Sequence, residues 1–213
     1  MENKEKYTIS LIKKLNIVFD IGAREDGIEF AQIFPEAQYH FFEPHKSFSD
    51  SLKSKIPKGV TATVNEYGMW NENIDNAKYY LNTESFIPHP FGISIDDGNT
   101  YDLRTIDWYV DKNKISTIDF LKIDTEGSDY KILLGAEKTL DKDKIRFIQF
   151  EYWDGVKKFH DLLSDKYDMF FIRDENTLSY LNDEVIHEID GLRISRGAGG
   201  DVFCVHKKEG FTI

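Results

Sequence analysis

Acidic residues that follow short apolar runs are the side chains in this sequence best placed to do chemistry. Asp20 ends the run IVFD, Glu43 follows YHFF, Asp124 follows DFLKI, and Glu151 ends IQFE. A carboxylate in such a place can accept a hydrogen bond from a sugar hydroxyl, hold a cation, or take a proton from an attacking hydroxyl. Because the carboxyl ends of parallel strands meet at one edge of a sheet, where ligands bind, we expect these residues to share a site.

The first two acidic residues predict a ligand that contains a ribose. Glu43 lies roughly 20 residues past the first turn, a spacing typical of an acid that accepts both ribose hydroxyls, and Pro44 then ends the strand. Gly22 and Ala23 would let a ligand approach the backbone closely, but the turn is not GxGxxG and the Asp20 carboxylate would repel a pyrophosphate. S-adenosylmethionine fits because it has a ribose, a cationic methionine end and no phosphate.

The segment TIDFLKIDTEGSDY adds two further carboxylates at the same edge. Asp124 ends a buried strand, and Glu126 follows it in the turn before a helix. One carboxylate could position the methionine end of the ligand or an acceptor hydroxyl, and the other could take the proton from that hydroxyl. The alternative role, helix capping with an acidic first turn, applies mainly to Ser128 and Asp129.

Several groups could act as the base in such a reaction. We rank Asp124, Glu126 and Glu151 first and a histidine, such as His89, after them. The histidines show no HxH or HExxH spacing, so we predict no bound catalytic metal.

Alternating strands and helices must position these residues. Runs rich in Val, Ile or Phe have the length of buried strands at 15–19, 39–42, 60–64, 118–123, 147–150, 169–172 and 202–205. Stretches of helical period lie between several of them, around Phe30, over 130–140 and around Phe159. This alternation predicts βαβ units and a mainly parallel sheet within a single domain over 1–213.

Two parts of the chain depart from this alternation. The segment 79–101, which contains Pro88 and Pro90, predicts an excursion on the acceptor side. The closely spaced strand-like runs after Met169 favour an antiparallel edge of the sheet, and 193–201 is expected to be a flexible loop.

Composition excludes several classes of protein. The formal net charge of −11 disfavours a nucleic acid partner, because an acidic surface repels phosphates. No apolar stretch reaches the ~20 residues of a membrane span, and no basic amphipathic helix suggests a membrane surface. The single Cys204 excludes an internal disulfide, so we expect a reducing cytoplasmic location.

Taken together, the motifs resemble those of the FkbM family of S-adenosylmethionine-dependent methyltransferases. The resemblance rests on DIGA at 20–23, FEP at 42–44, LKIDTEG at 121–127 with LLGAEKTL after it, and IQFEY at 148–152. It implies an α/β class I methyltransferase fold, a Rossmann-like three-layer sandwich. Its mainly parallel sheet would have seven strands, the last of them antiparallel. It also implies S-adenosylmethionine as cofactor and O-methylation of a hydroxyl on a sugar, glycan or natural product.

The resemblance further implies a role for each matching residue. The predicted positions are the methionine end for Asp20, Gly22 and Ala23, the ribose for Glu43, the adenine for Asn65 and Glu66, and the methyl-transfer point for Asp124 and Glu126. Unlike the family pattern, the first turn is lengthened over 24–27. Arg24 in this turn, which closes at Gly27, could hold a ligand carboxylate.

Two other functions stay open on the sequence. One is a different nucleotide-cofactor enzyme, such as an NAD-dependent sugar dehydrogenase or epimerase, against which stand the missing GxGxxG and the lack of a YxxxK pair on a helix. The other is a non-catalytic binding module, which would result if the lengthened loop blocked the methionine pocket.

Overall fold

The structure is a computed structural model that describes residues 3–25, 27–80, 96–153, 155–174, 176–196 and 199–211. Most of the predicted excursion at 79–101, including His89, lies outside the described residues, and so does Asp26 of the first turn. No helix in these described ranges is long and apolar enough to cross a membrane.

The described strands form one large sheet and one small sheet. In chain order they are β1 (Ile17–Ile21), β2 (Gln38–Phe42), β3 (Thr61–Asn65), β4 (Gly68–Met69), β5 (Ile74–Tyr80), β6 (Asp96–Arg104), β7 (Ile118–Ile123), β8 (Ile145–Tyr152), β9 (Tyr167–Asp174), β10 (Thr177–Tyr180) and β11 (Gly200–His206). The large sheet has the order β10-β9-β11-β8-β7-β1-β2-β3, and the small sheet has the order β4-β6-β5. All seven predicted strands therefore form.

The pairing pattern confirms the predicted class I methyltransferase fold and adds one strand to it. Strands β1, β2, β3, β7 and β8 pair in parallel, and β11, the last strand, is antiparallel to both neighbours. The large sheet has eight strands, one more than the seven expected, because β10 forms an antiparallel hairpin with β9 at the edge. Residues 175–176 lie between these two strands, and this connection is too short to allow anything but a hairpin.

Helices cover both faces of the large sheet. They are α1 (Asn3–Ser10), α2 (Glu29–Ile33), α3 (Lys46–Lys55), α4 (Ile106–Lys112), α5 (Asp129–Leu134), α6 (Glu137–Asp141), α7 (Lys157–Leu163) and α8 (Asp183–Arg196). One buried cluster joins α1–α3 to alternate strand residues such as Val18 and Phe41, and a second joins α4–α8 to the intervening ones, such as Phe19 and Phe42. A sheet buried on both faces explains the nearly continuous apolar runs in the sequence.

Two helical features differ from the sequence predictions. The single helix expected over 130–140 is divided into α5 and α6 at Gly135, where a Cβ would lie 2.1 Å from the carbonyl oxygen of Trp70. The predicted flexible loop at 193–201 is wrong in its first part, because α8 extends to Arg196. Its last part belongs to β11, which begins at Gly200, and residues 197–198 of the predicted loop lie outside the described residues.

Charged side chains tie the chain together at the amino edge of the large sheet. Asp119, at the start of β7, accepts hydrogen bonds from the backbone N–H groups of Asn16 and Ile17 at 2.9 and 2.8 Å. The guanidinium of Arg146 contacts Asp119 at 2.6 Å and Glu209 at 2.6 Å. Asp119 is only 4% exposed, so this cluster joins β1, β7, β8 and the end of the chain through a desolvated carboxylate.

Arg146→Met is expected to lower the free energy of unfolding by about 2–3 kcal/mol, because it leaves the buried Asp119 carboxylate without its cationic partner. The measurement is urea unfolding followed by circular dichroism. Lys157→Met is the matched control, since Lys157 pairs with Asp161 on the surface, where both side chains are more than half exposed. That exposed pair is worth about 0.5 kcal/mol or less. Equal effects of the two substitutions would contradict the role given to Arg146.

Candidate active site

Glu43 links the first two turns at the carboxyl edge of the sheet. Its carboxylate accepts the backbone N–H of Arg24, in the first turn, at 3.0 Å. It also accepts the backbone N–H of His45, which follows Pro44, at 2.7 Å. Burial raises the pKa of the Glu43 carboxyl, and these two backbone donors oppose the shift. The carboxylate thus orders the β1 and β2 turns, and each of its oxygens keeps lone-pair capacity for a further hydroxyl donor.

The first turn is held together by close backbone contacts. Gly22 and Ala23 both donate their N–H groups to the carbonyl of Phe42, at 3.0 and 3.3 Å. Gly22 has a φ of +80°, and a Cβ on it would lie 1.9 Å from the carbonyl oxygen of Asp124. The β7 turn packs closely on Gly22, so glycine is required there for packing, and the ligand contact expected at Gly22 and Ala23 stays a prediction.

Asp20 lies beneath the first turn. Its side chain is buried, and its nearest recorded cation is the ammonium of Lys122, 3.8 Å away. Gly27 passes directly over it, since a Cβ at Gly27 would lie 2.4 Å from Asp20 Oδ2. Asp20 thus supports the turn from below and has Lys122 as a cationic neighbour, and its predicted place at the methionine end stays a prediction.

The remaining predicted cofactor residues lie on both sides of the turns. The side chain of Arg24 is exposed and places its guanidinium 5.3 Å from the ring centre of Phe48 in α3. Asn65 donates from Nδ2 to the carbonyl of Phe41 at 3.0 Å. Glu66 forms an ion pair with Lys53 of α3. The side chains of Asn65 and Glu66 are thus engaged within the protein, so a contact to adenine there would use the backbone.

The β7 turn brings Asp124 and Glu126 to the same edge. Asp124 is 44% exposed and lies 3.2 Å from the ammonium of Lys122, which therefore bridges the β1 and β7 acids. Glu126 is exposed and has a φ of +52°, followed by Gly127 at +106°. Two successive residues with left-handed backbone make this turn tight, and the side chain of Glu126 on it is exposed.

Glu151 is an acid at this edge whose pKa is raised to near neutrality. Burial raises the pKa of the Glu151 carboxyl to about 7, with further contributions from the negative charges of Asp124, Asp201 and Glu126. The indole Nε1 of Trp153 donates to its Oε2 at 2.8 Å and opposes that shift. A carboxyl that titrates near 7 suits a general base at physiological pH.

Asp129 is the residue of this site whose importance sequence reasoning missed. The sequence predicts that Ser128 and Asp129 cap the helix. In the structure α5 begins at Asp129, and the side chain of Ser128 makes no capping hydrogen bond. Its buried carboxyl instead accepts the backbone N–H of Glu151 at 3.1 Å and the hydroxyl of Thr125 at 2.8 Å. The sequence signal for Asp129 is an acid two residues after the glycine of TEG. The first turn of an ordinary helix has the same pattern, so the signal does not distinguish the two roles.

The described histidines, a set that does not include His89, lie apart from any metal-binding group. His40 is buried on β2, with Nδ1 2.7 Å from the hydroxyl of Tyr109, and burial lowers the pKa of its imidazole to about 4. Within the ranges that the structure describes, no three His, Cys, Asp or Glu side chains are grouped so as to hold a metal ion.

Comparisons with known proteins agree with this geometry. A methyltransferase FkbM from Methylobacillus flagellatus KT superposes with a TM-score of 0.58 at 14% identity, covering 96% of this chain and 48% of that one. TrmK of M. capricolum, solved with S-adenosylhomocysteine, gives a TM-score of 0.53 at 13% identity, covering 97% of this chain and 68% of that one. At such identities these two likenesses establish the fold alone.

The family itself is established by sequence. The chain spans about half the length of the M. flagellatus protein, and no curated protein matches it. Residues 20–175 match the family described as the methyltransferase FkbM domain, a range that includes every strand-end carboxylate of the site except Asp201. The chain therefore belongs to the FkbM methyltransferase domain family.

Proposed function

We propose that this chain transfers the methyl group of S-adenosylmethionine to a hydroxyl of a sugar, glycan or other natural product. The observation that carries the proposal is the Glu151 carboxyl, which lies near the end of β8 at the ligand-binding edge and accepts the indole N–H of Trp153 at 2.8 Å, while burial raises its pKa to about 7. The cofactor supplies a methyl group that is already activated on a sulfonium. The protein then has to align an acceptor hydroxyl with it and remove the proton.

The residues at the carboxyl edge fit this cofactor. Glu43 is held by two backbone donors and can accept ribose hydroxyls with its remaining lone pairs. The exposed carboxylates of Asp124 and Glu126 suit the positive charge of the methionine end. The guanidinium of Arg24 lies at the surface of the first turn, beside Phe48, and would meet the methionine carboxylate.

On the acceptor side, Glu151 would take the proton from the attacking hydroxyl. Trp153, which is 41% exposed, holds the Glu151 carboxylate through its indole and offers an apolar ring face beside it. A ring of this kind packs well against the C–H face of a sugar. The formal charge of −11 favours a small-molecule or glycan acceptor over nucleic acid, and the buried Cys204 fits a reducing cytoplasm.

Glu43→Ala is expected to weaken binding of S-adenosylhomocysteine about 30- to 150-fold, because hydrogen bonds to a charged group are worth roughly 2–3 kcal/mol. The measurement is isothermal titration calorimetry, with NAD as the competing ligand. Glu36→Ala is the matched control, since Glu36 is an exposed acid just before the other end of β2. Its affinity should stay within about twofold of that of the wild type.

Each alternative function predicts a different result in the same titration. Binding of NAD in place of S-adenosylhomocysteine would favour an NAD-dependent enzyme. Failure of the wild-type protein to bind either ligand would favour a non-catalytic module in which the loop at 24–27 closes the pocket. Equal affinities of wild type and Glu43→Ala would remove Glu43 from the ribose site.

A further inference from the structure

The end of β8 extends beyond β7 on one side, while β11 pairs with it as far as Tyr152 on the other. The last paired residues of β7 and β8 are Ile123 and Phe150, and β7 ends at Ile123. The N–H of Glu151 points to this side of the strand but has no β7 residue opposite it. Asp129 Oδ1 accepts that N–H at 3.1 Å, so a side chain takes the place of the missing strand.

The same carboxyl also closes the turn after β7. The hydroxyl of Thr125 donates to Asp129 Oδ2 at 2.8 Å. This hydrogen bond spans Glu126 and Gly127, both of which have left-handed backbone. Asp129 is 1% exposed, so both hydrogen bonds lie in a desolvated place where polar contacts are strong and orient their partners well. One buried carboxyl thus fixes the ends of two chain segments that carry predicted catalytic acids.

We propose that Asp129 is a positioning residue, which holds the Glu151 backbone and the 125–127 turn in the arrangement needed for proton removal from the acceptor. This inference rests on the proposed function, because it gives Asp129 a task only if Glu151 acts as the base. Asp129 itself is too deeply buried to touch a substrate and acts through Glu151.

The charge state of Asp129 is consistent with that task. Burial raises the pKa of its carboxyl to about 8, and the negative charges of Asp124 and Glu151 raise it further, against the Thr125 and Glu151 donors. Burial therefore favours the uncharged form of Asp129. A neutral acid can fix the end of β8 without adding a charge beside Glu151, which already faces Asp124, Glu126 and Asp201.

The test compares Asp129→Asn with Asp129→Ala, using the titration midpoint of Glu151. The midpoint is read from the side-chain carboxyl signal in protein carrying ¹³C-labelled glutamate, assigned with Glu151→Gln. The Asn side chain keeps an acceptor for the Glu151 N–H and stays neutral, so the midpoint should remain near 7. The Ala side chain leaves the Glu151 N–H without this acceptor and admits water on the β7 side of β8, so the midpoint should fall toward the ordinary value of 4.5.

Two additional measurements separate a positioning role from a structural one. Binding of S-adenosylhomocysteine should stay within about threefold of wild type in both variants, since Glu43 is untouched. Thr125→Val, which keeps the carboxyl but removes one of its donors, should lower the Glu151 midpoint by a smaller amount than Asp129→Ala. The Thr125→Val variant also tests the positioning role if Asp129→Ala does not fold.

A Glu151 midpoint that stays near 7 in Asp129→Ala or Thr125→Val, with only the melting temperature lowered, would overturn the proposal. Loss of S-adenosylhomocysteine binding by wild-type protein would instead refute the proposed function. The two failures are therefore distinguishable, because the first concerns Glu151 alone and the second concerns the cofactor site.

Discussion

Glu151→Gln is expected to lower the rate of methyl transfer about 10²- to 10⁴-fold, the range that a positioned general base contributes. Glutamine keeps the size of the side chain and can still accept the indole N–H of Trp153, but it cannot take a proton. The affinity for S-adenosylhomocysteine should therefore stay within about twofold of wild type. A fall in rate without a fall in cofactor affinity is the signature of a group that acts in the transition state.

The measurement is transfer of a labelled methyl group from S-adenosylmethionine, first to a panel of sugars and other hydroxyl compounds and then to the best acceptor. Glu126→Gln is the matched comparison, because Glu126 is an acid of the same edge whose side chain is exposed rather than buried. We expect an effect below about tenfold for it. A larger effect of Glu126→Gln than of Glu151→Gln would transfer the role of base to the β7 turn.

The pH dependence of both activity and stability follows from the same carboxyl. The base must be ionised, so the rate should rise with pH and level off above about 7. The pKa of Glu151 is raised from 4.5, so between 4.5 and 7 the folded protein binds more protons than the unfolded chain. The contribution of Glu151 to stability therefore falls as pH rises through that interval, and Glu151→Gln should be more stable than wild type at pH 8.

Gly22→Ala is expected to lower the free energy of unfolding by about 2–5 kcal/mol and to abolish cofactor binding. A left-handed backbone costs an alanine roughly 1 kcal/mol, and overpacking adds about 1–3 kcal/mol or more. The Cβ would collide with the backbone carbonyl of Asp124, which no side-chain rotation can relieve. Because the collision forces the β1 and β7 turns apart, it should damage the cofactor site directly.

Gly59→Ala isolates the backbone part of this effect. Gly59 has a φ of +97° and no atom within 4 Å of its Cβ position, so only the conformational strain applies. Its cost should be about 1 kcal/mol, with cofactor affinity unchanged. The measurements are urea unfolding and calorimetry with S-adenosylhomocysteine. If the two alanine variants are equally stable, the contact between Gly22 and Asp124 does not constrain the fold.

Most of the fold was predictable because burial on both faces gives each strand of a parallel sheet a continuous apolar run. β7 begins and ends where its run IDFLKI does, and the antiparallel β11 follows from its position after the β9–β10 hairpin. The break between α5 and α6 was not predictable, since Gly135 is required by the carbonyl of Trp70, which is distant in sequence. Hydrophobic periodicity carries no information about such a contact.

The site was predictable in its strand-end acids and not in the connections between them. Glu43 and Glu151 are visible because each directly follows or ends an apolar run. The roles of Lys122 and Asp129 depend on partners from other strands: Lys122 bridges Asp20 and Asp124, and Asp129 holds Glu151. Sequence spacing shows which side chains reach an edge, but their hydrogen bonds are set only when the strands assemble.

The ion cluster of Asp119, Arg146 and Glu209 has a consequence for how this chain can be altered. It lies at the amino edge of the sheet, and the six residues of β7 separate it from the reactive acids by about 20 Å. No side chain of the cluster can contact those acids over that distance, and charges exposed at the amino edge are screened within about 8 Å in physiological salt. Heat tolerance and isoelectric point can therefore be tuned at one end of the strands while the acid–base balance at the other end stays as it is.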